Sequence, residues 1–231
     1  MTQEAQAEQF EITPEQLLAV LNQRTATYGL LSRLYLKEID QALLDELHAT
    51  KYRRFTGNED VDEGHRLIAT YLSGMWENTL TELAVDYMRI LFGHGYDSHS
   101  AAYPFESVYT SEKRLLMEDA RGEVLALYRA AGLAKRPDWK ESEDHIAIEL
   151  EYMKVLAERT AAAFEAGNEE EAVALLKCQK NFLDDHLLTW EELFCNEVKN
   201  RAKTKFYEGV AFLTDGFLKN DRNVVADLLD D

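Results

Sequence analysis

Cysteine, proline and basic residues are all scarce in this chain. The two cysteines, Cys178 and Cys195, stand apart with no Cys-x-x-Cys spacing, so zinc-ribbon and dithiol redox motifs are excluded and a reducing compartment is favoured. The three prolines, Pro14, Pro104 and Pro137, need not interrupt any helix. Lysine and arginine number 25 against 43 aspartates and glutamates, a formal net charge of −18, which argues against nucleic acid or an anionic membrane as the main partner. Such a balance suits a basic partner or simply solubility. Apolar runs reach only five residues, as at Leu17–Leu21 and Val124–Tyr128, too short to span a bilayer, so no stable membrane insertion is expected. The segment Met1–Ile12 is polar and acidic and lacks the basic and apolar regions of a signal peptide. A cytoplasmic location is expected.

Catalytic and cofactor signatures are missing as well. There is no GxxxxGK[ST], and Gly93-His-Gly95 is too short to cradle phosphates. GxSxG and HExxH are absent, and no histidine is followed by aspartate. His145 and Glu149 stand at i and i+4, but a di-metal carboxylate bundle needs a glutamate three residues before a histidine on two helices. Those positions hold Ser142, before His145, and Leu183, before His186. No catalytic residue, cofactor or metal is therefore assigned.

What the chain does have is helical periodicity, with 46% hydrophobic residues to bury. Thr13-Pro14-Glu15-Gln16 predicts a capped helix start, and Leu17 to Tyr35 carry that helix to about Leu36. Asp40 caps a short helix, Gly57 to Asp60 is a turn, and Leu67 to Met75 mark a third helix. A fourth begins near Asn78 or Thr79 and ends at Gly93. The following loop, to Glu106, is long and aromatic, with Tyr96, Tyr103, Pro104 and Phe105. Helical pattern resumes from Ser107 to about Leu133, with Arg121-Gly122 as a point where a break is allowed. Residues 134–141 form a linker, the candidate subdomain boundary, expected to be exposed. Asn168 and Glu171 predict a capping box, a new helix is expected at Thr189, and the last long helix covers Phe206 to Phe217. The reading is all-α: one helical domain of about nine or ten helices, divisible at 134–141 into two subdomains.

One stretch stands out. Glu141-Ser-Glu-Asp-His145 runs into Ile146 to Met153, so an acidic cluster and a histidine meet where a loop becomes a helix. Carboxylates there are favoured by the helix dipole, and Ser142, Glu143 or Asp144 could serve as caps. Ile146, Leu150, Met153, Ala157 and Phe164 share one face, and His145, Glu149 and Tyr152 form a second stripe. Asp185-His186 with Trp190 echoes the Asp144-His145 pair, and a buried structural histidine is the expected reading.

Several segments together resemble the TorD/DmsD-type maturation chaperones of exported, molybdenum-containing redox enzymes. Tyr87-Met-Arg-Ile-Leu-Phe-Gly93 is similar to that family's aromatic-x-x-Leu-Phe-x-Gly. The Leu-Phe pair falls on Ile90 and Leu91 when Gly93 fixes the register, and on Leu91 and Phe92 after a one-residue slip. Tyr103 to Tyr109 resembles the Pro-x-x-Ser-Val-aromatic loop. Glu141 to His145 resembles the Asp-His helix start, with Glu143 where proline is frequent. Phe182 to His186 with Trp190 and Phe206-Tyr207 resembles the C-terminal pattern. The resemblance implies an all-helical, non-enzymatic chaperone, monomer or homodimer. Its partner would be the twin-arginine signal peptide and apo-form of a molybdopterin-dependent reductase, held back from export until the cofactor is loaded. It implies Tyr87, Ile90, Leu91, Glu141, Asp144 and His145 as the signal-peptide-binding residues. Independently, such a leader needs an apolar groove with carboxylates at one end. The alternative is a helical metal- or nucleotide-dependent hydrolase using the two Asp-His pairs.

Overall fold

The computed structural model describes residues 13–93, 101–111 and 119–230. Helix α1 (Pro14–Leu36) starts where local chemistry dictates: Thr13 and Gln16 cap each other reciprocally. Asp40 caps α2 (Gln41–Ala49), and Asn58 caps α3 (Glu59–Ser73), each side chain accepting a backbone N–H. Then come α4 (Thr79–Leu91), the single-turn α5 (Glu106–Thr110) and α6 (Asp119–Ala130). The central α7 (Ile146–Glu165) is followed by α8 (Glu169–Phe182), whose cap is Asn168. A π-turn, Leu183–Leu187, leads into α9 (Leu188–Arg201), and α10 (Lys205–Asp230) closes the chain. Among the described residues there is no strand, only an isolated antiparallel bridge between Phe105 and His145. The domain is all-α.

Three sequence readings differ from what is found. The break allowed at Arg121-Gly122 does not occur; α6 runs through it. Gly122 is exposed with nothing near it, so it costs the helix only about 1 kcal/mol, less than burial of Ala120, Val124 and Tyr128 stabilises. No new helix starts at Thr189, because the π-turn carries α8 directly into α9 and Thr189 Oγ1 donates back to His186 O at 2.5 Å. Nor do Ser142, Glu143 or Asp144 cap α7. The cap is His145, whose Nδ1 accepts from Ala147 N–H at 3.0 Å.

Helix α7 is buried on nearly every side, with α1 along one flank and α8 along another. One hydrophobic core runs from Tyr28 through Met153 to Val225 and is continuous across 134–141, where Trp139 packs against it. Helices α3 and α10 cross at Gly64 and Gly209; a Cβ on either would meet the other's carbonyl oxygen at 2.8 Å, so both must be glycine for this approach. Buried Arg24 of α1 is held by Asp221 of α10 at 2.5 and 2.9 Å and by Gln179 of α8 at 2.7 Å, while Tyr28 OH donates to the same aspartate. Among the described residues no helix is long and apolar enough to cross a membrane.

Candidate functional site

Helix α4 stops because Gly93 adopts φ 64°, a left-handed conformation that frees its N–H to reach back to Met88 O. In the last turn of α4, Ile90 O accepts from Ala102 N–H at 2.7 Å. Residues 101–111 then cross to the start of α7 as a strap. Ile146 N–H donates to Pro104 O and Glu106 N–H donates to Asp144 O, both at 2.9 Å. The Asp144 carboxylate completes the attachment, accepting from Ser107 Oγ at 2.5 Å and from Ser107 N–H at 3.2 Å. The Phe105 ring meets His145 edge-on at 5.0 Å, and Tyr109 stacks on Trp190 at 5.5 Å. From the π-turn, His186 Nδ1 reaches Glu106 at 3.1 Å. Four stretches far apart in sequence therefore converge: 87–93, 103–109, 141–145 and 182–190.

Beneath the strap lies a fully buried acidic cluster. Glu149 receives Trp190 Nε1–H at 3.4 Å on one oxygen and lies against the Glu106 carboxyl, while Asp144 Oδ1 has no hydrogen-bond partner. Burial, then the nearby charges of Glu106 and Asp144, push the Glu149 carboxyl well above the usual carboxylate range. Burial pushes His145 down to about 3, leaving a neutral ring whose Nε2 carries the proton, since Nδ1 accepts a bond. Burial opposes charge on His186 too, but the hydrogen bond and charge of Glu106 outweigh it and raise its pKa. Glu143, also disfavoured by burial, is held below its usual range by Arg121 at 2.6 Å and Lys135 at 3.3 Å.

The six residues singled out from sequence fall around this junction in different ways. Ile90 and Leu91 face the core, 1% and 4% exposed. Tyr87 is buried but borders a surface cleft with Met88 and Phe92, its hydroxyl donating to Tyr35 O. Asp144 has no exposed surface and His145 almost none. Glu141 is half-buried, and its backbone carbonyl accepts from Lys135. Sequence reasoning passed over Glu106 and Ser107 as partners of His186 and Asp144. Their signal was a charged residue and a hydroxyl inside an otherwise aromatic loop. Among the described residues no three His, Cys, Asp or Glu side chains are grouped to hold a metal ion.

Comparison with known proteins gives a consistent result. A sequence profile of the nitrate reductase delta subunit family matches residues 57–196. The "Chaperone protein TorD" of Vibrio cholerae El Tor Inaba N16961 is 27% identical, over 92% of this chain and 97% of its own. That of Vibrio atlanticus LGP32 is 30% identical, over 88% and 95%. The crystal structure of a candidate redox enzyme maturation protein from Archaeoglobus fulgidus shares the fold, with a TM-score of 0.50 at 20% identity, covering 85% of this chain and 93% of that one.

Proposed function

The chain belongs to the nitrate reductase delta subunit family, within which it aligns with TorD chaperones along nearly its whole length, and from that premise we propose how it works. It is a maturation chaperone for a molybdenum-containing redox enzyme, not an enzyme itself. In the cytoplasm it binds the twin-arginine signal peptide of the immature client, assists cofactor insertion and delays export. The observation that carries this reading is the convergence at the strap. The segments that resemble the chaperone family are scattered over a hundred residues, yet they join by backbone bonds and by the Asp144–Ser107 and His186–Glu106 pairs.

Within this reading Tyr87, Ile90, Leu91, Asp144 and His145 shape the signal-peptide site by fixing α4 and the strap relative to α7. Glu141, the more accessible carboxylate, faces the leader's basic residues. The histidines of the two Asp-His pairs that could suggest a hydrolase are committed to internal bonds, His145 as a helix cap and His186 to Glu106. The test is capture of a client precursor by the purified chain, set beside the same client without its leader. Capture that depends on the leader supports the reading; equal capture of both would sink the signal-peptide part of it.

A further inference from the structure

Helix α4 has two faces of opposite use. Leu83, Tyr87, Ile90 and Leu91 are buried, whereas Val85, Met88 and Phe92 are exposed by 52, 44 and 45%. These three lie at i, i+3 and i+7, one stripe on the outer side of the helix. Trp76, 57% exposed in the turn before α4, extends it. Eight large hydrophobic side chains are exposed among the described residues, and these are four of them. Isolated exposed apolar residues need no explanation, but a continuous stripe does. Clefts of about 340, 350 and 490 Å³ border this helix, and Met88 lines two of them.

The charge beside the stripe is specific. Asp86 is tied to Arg89, Glu82 to the Tyr71 hydroxyl, and Asp40 to Arg33 and Lys37. Glu38 borders both clefts that flank Met88, and among the described residues its carboxylate has no hydrogen-bond or ion-pair partner. Only its backbone carbonyl is taken, by Arg33. From Val85 to Phe92 the stripe is roughly 10 Å long at the helical rise, the length of an apolar helix of about seven residues, before Trp76 extends it.

We propose that the outer face of α4, Val85, Met88 and Phe92 with Trp76, is the docking surface for the apolar stretch of the client leader, and that Glu38 faces its basic end. This rests on the signal-peptide reading above. An apolar run of about 7–15 residues preceded by cations is the chemistry that fits both the stripe's length and the unpaired anion beside it. The inward residues Ile90 and Leu91 then hold the helix in place, while the outward ones make the contact.

The experiment uses the full chain and a fluorescein-labelled synthetic peptide, two arginines followed by about twelve leucines and alanines, titrated by anisotropy. The double variant Val85→Ser/Met88→Ser should bind it at least roughly tenfold more weakly, since two partly exposed apolar contacts are lost. Its thermal melt should match wild type because both positions are exposed. Glu38→Gln should weaken the arginine peptide and leave a glutamine-substituted peptide unaffected. Val173→Ser and Leu193→Ser, exposed apolar positions on α8 and α9, serve as controls and should change nothing. Unchanged affinity in the double variant, with the wild type still capturing precursor through its leader, overturns the surface and spares the function. A wild type that ignores both leader and peptide overturns both. A stable dimer that the double variant disperses, with peptide affinity intact, assigns the stripe to a second copy of the chain and likewise overturns the proposal.

Discussion

The Asp144–Ser107 contact offers the sharpest test of how the strap is held. Both residues are fully buried, and Oδ2 of Asp144 takes both the hydroxyl and the amide of Ser107. Ser107→Ala removes one hydrogen bond to a charged group, about 1.5–3 kcal/mol. Asp144→Ala orphans a buried hydroxyl and a buried N–H, each worth about 1–3 kcal/mol. It also relieves two existing costs: the unpartnered Oδ1, and the repulsion between Asp144 and the Glu149 carboxyl. The net loss should be about 2–4 kcal/mol, and the double variant should fall short of the sum by about 1.5–2 kcal/mol, because the shared bond is counted twice. Urea unfolding midpoints at constant m-value give the four corners of the cycle. Hydrogen exchange gives a local readout: the amides of Ala102, Glu106 and Ile146, which join strap to core, should lose protection together. A coupling below about 0.5 kcal/mol, or unaltered exchange at those amides, would refute the view that this carboxylate fastens the strap.

Other consequences are open to direct measurement. The depressed pKa of His145 means the unfolded chain binds more protons between about 3 and 6.5, so its contribution to stability is complete above 6.5 and lost as pH falls. Burial raises Glu191 to about 7, so its contribution is complete below 4.5 and lost as pH rises through 7. His145→Asn should flatten the acid limb of a urea-midpoint profile and Glu191→Gln the limb towards neutrality; a profile unmoved by either is the contrary result. Gly209→Ala forces a Cβ to 2.8 Å from Gly64 O and should cost about 1–3 kcal/mol, whereas Gly122→Ala, with open space around it, should stabilise by about 0.5–1 kcal/mol in thermal melts. Limited trypsin treatment should cut first after the exposed Lys140, with Lys135 spared because it is tied to Glu143 and the Glu141 carbonyl. First cleavage inside a described helix would contradict this.

Legibility followed the range of the interaction. The start of α1 could be read from Thr13, Pro14 and Gln16 because a cap is made by residues three apart. The same holds for Asp40 and for Asn168. The strap could not be derived that way: Ser107 and Asp144 are 37 residues apart, and Glu106 and His186 are 80 apart. Periodicity identified α4 and also the face it buries, since Leu83, Tyr87, Ile90 and Leu91 recur at three- and four-residue steps and are the ones that look inward. What it did not mark is the second apolar stripe, Met88 and Phe92, left exposed on the other side. The π-turn erased the expected boundary at Thr189 because an extra residue in a helical turn leaves no glycine or proline as a mark.

The clasp on Arg24 also has a meaning in time. Its guanidinium depends on Asp221, 197 residues further along the chain, and a buried cation without its partner is worth about 3–5 kcal/mol of destabilisation. A ribosome makes Arg24 well before Asp221, so a growing chain that has not reached Asp221 cannot close this clasp. A chain arrested before residue 221 should stay open to protease while the released one resists. The clasp is thus a late event on a growing chain, and the part of the core it locks is finished only once residue 221 has emerged.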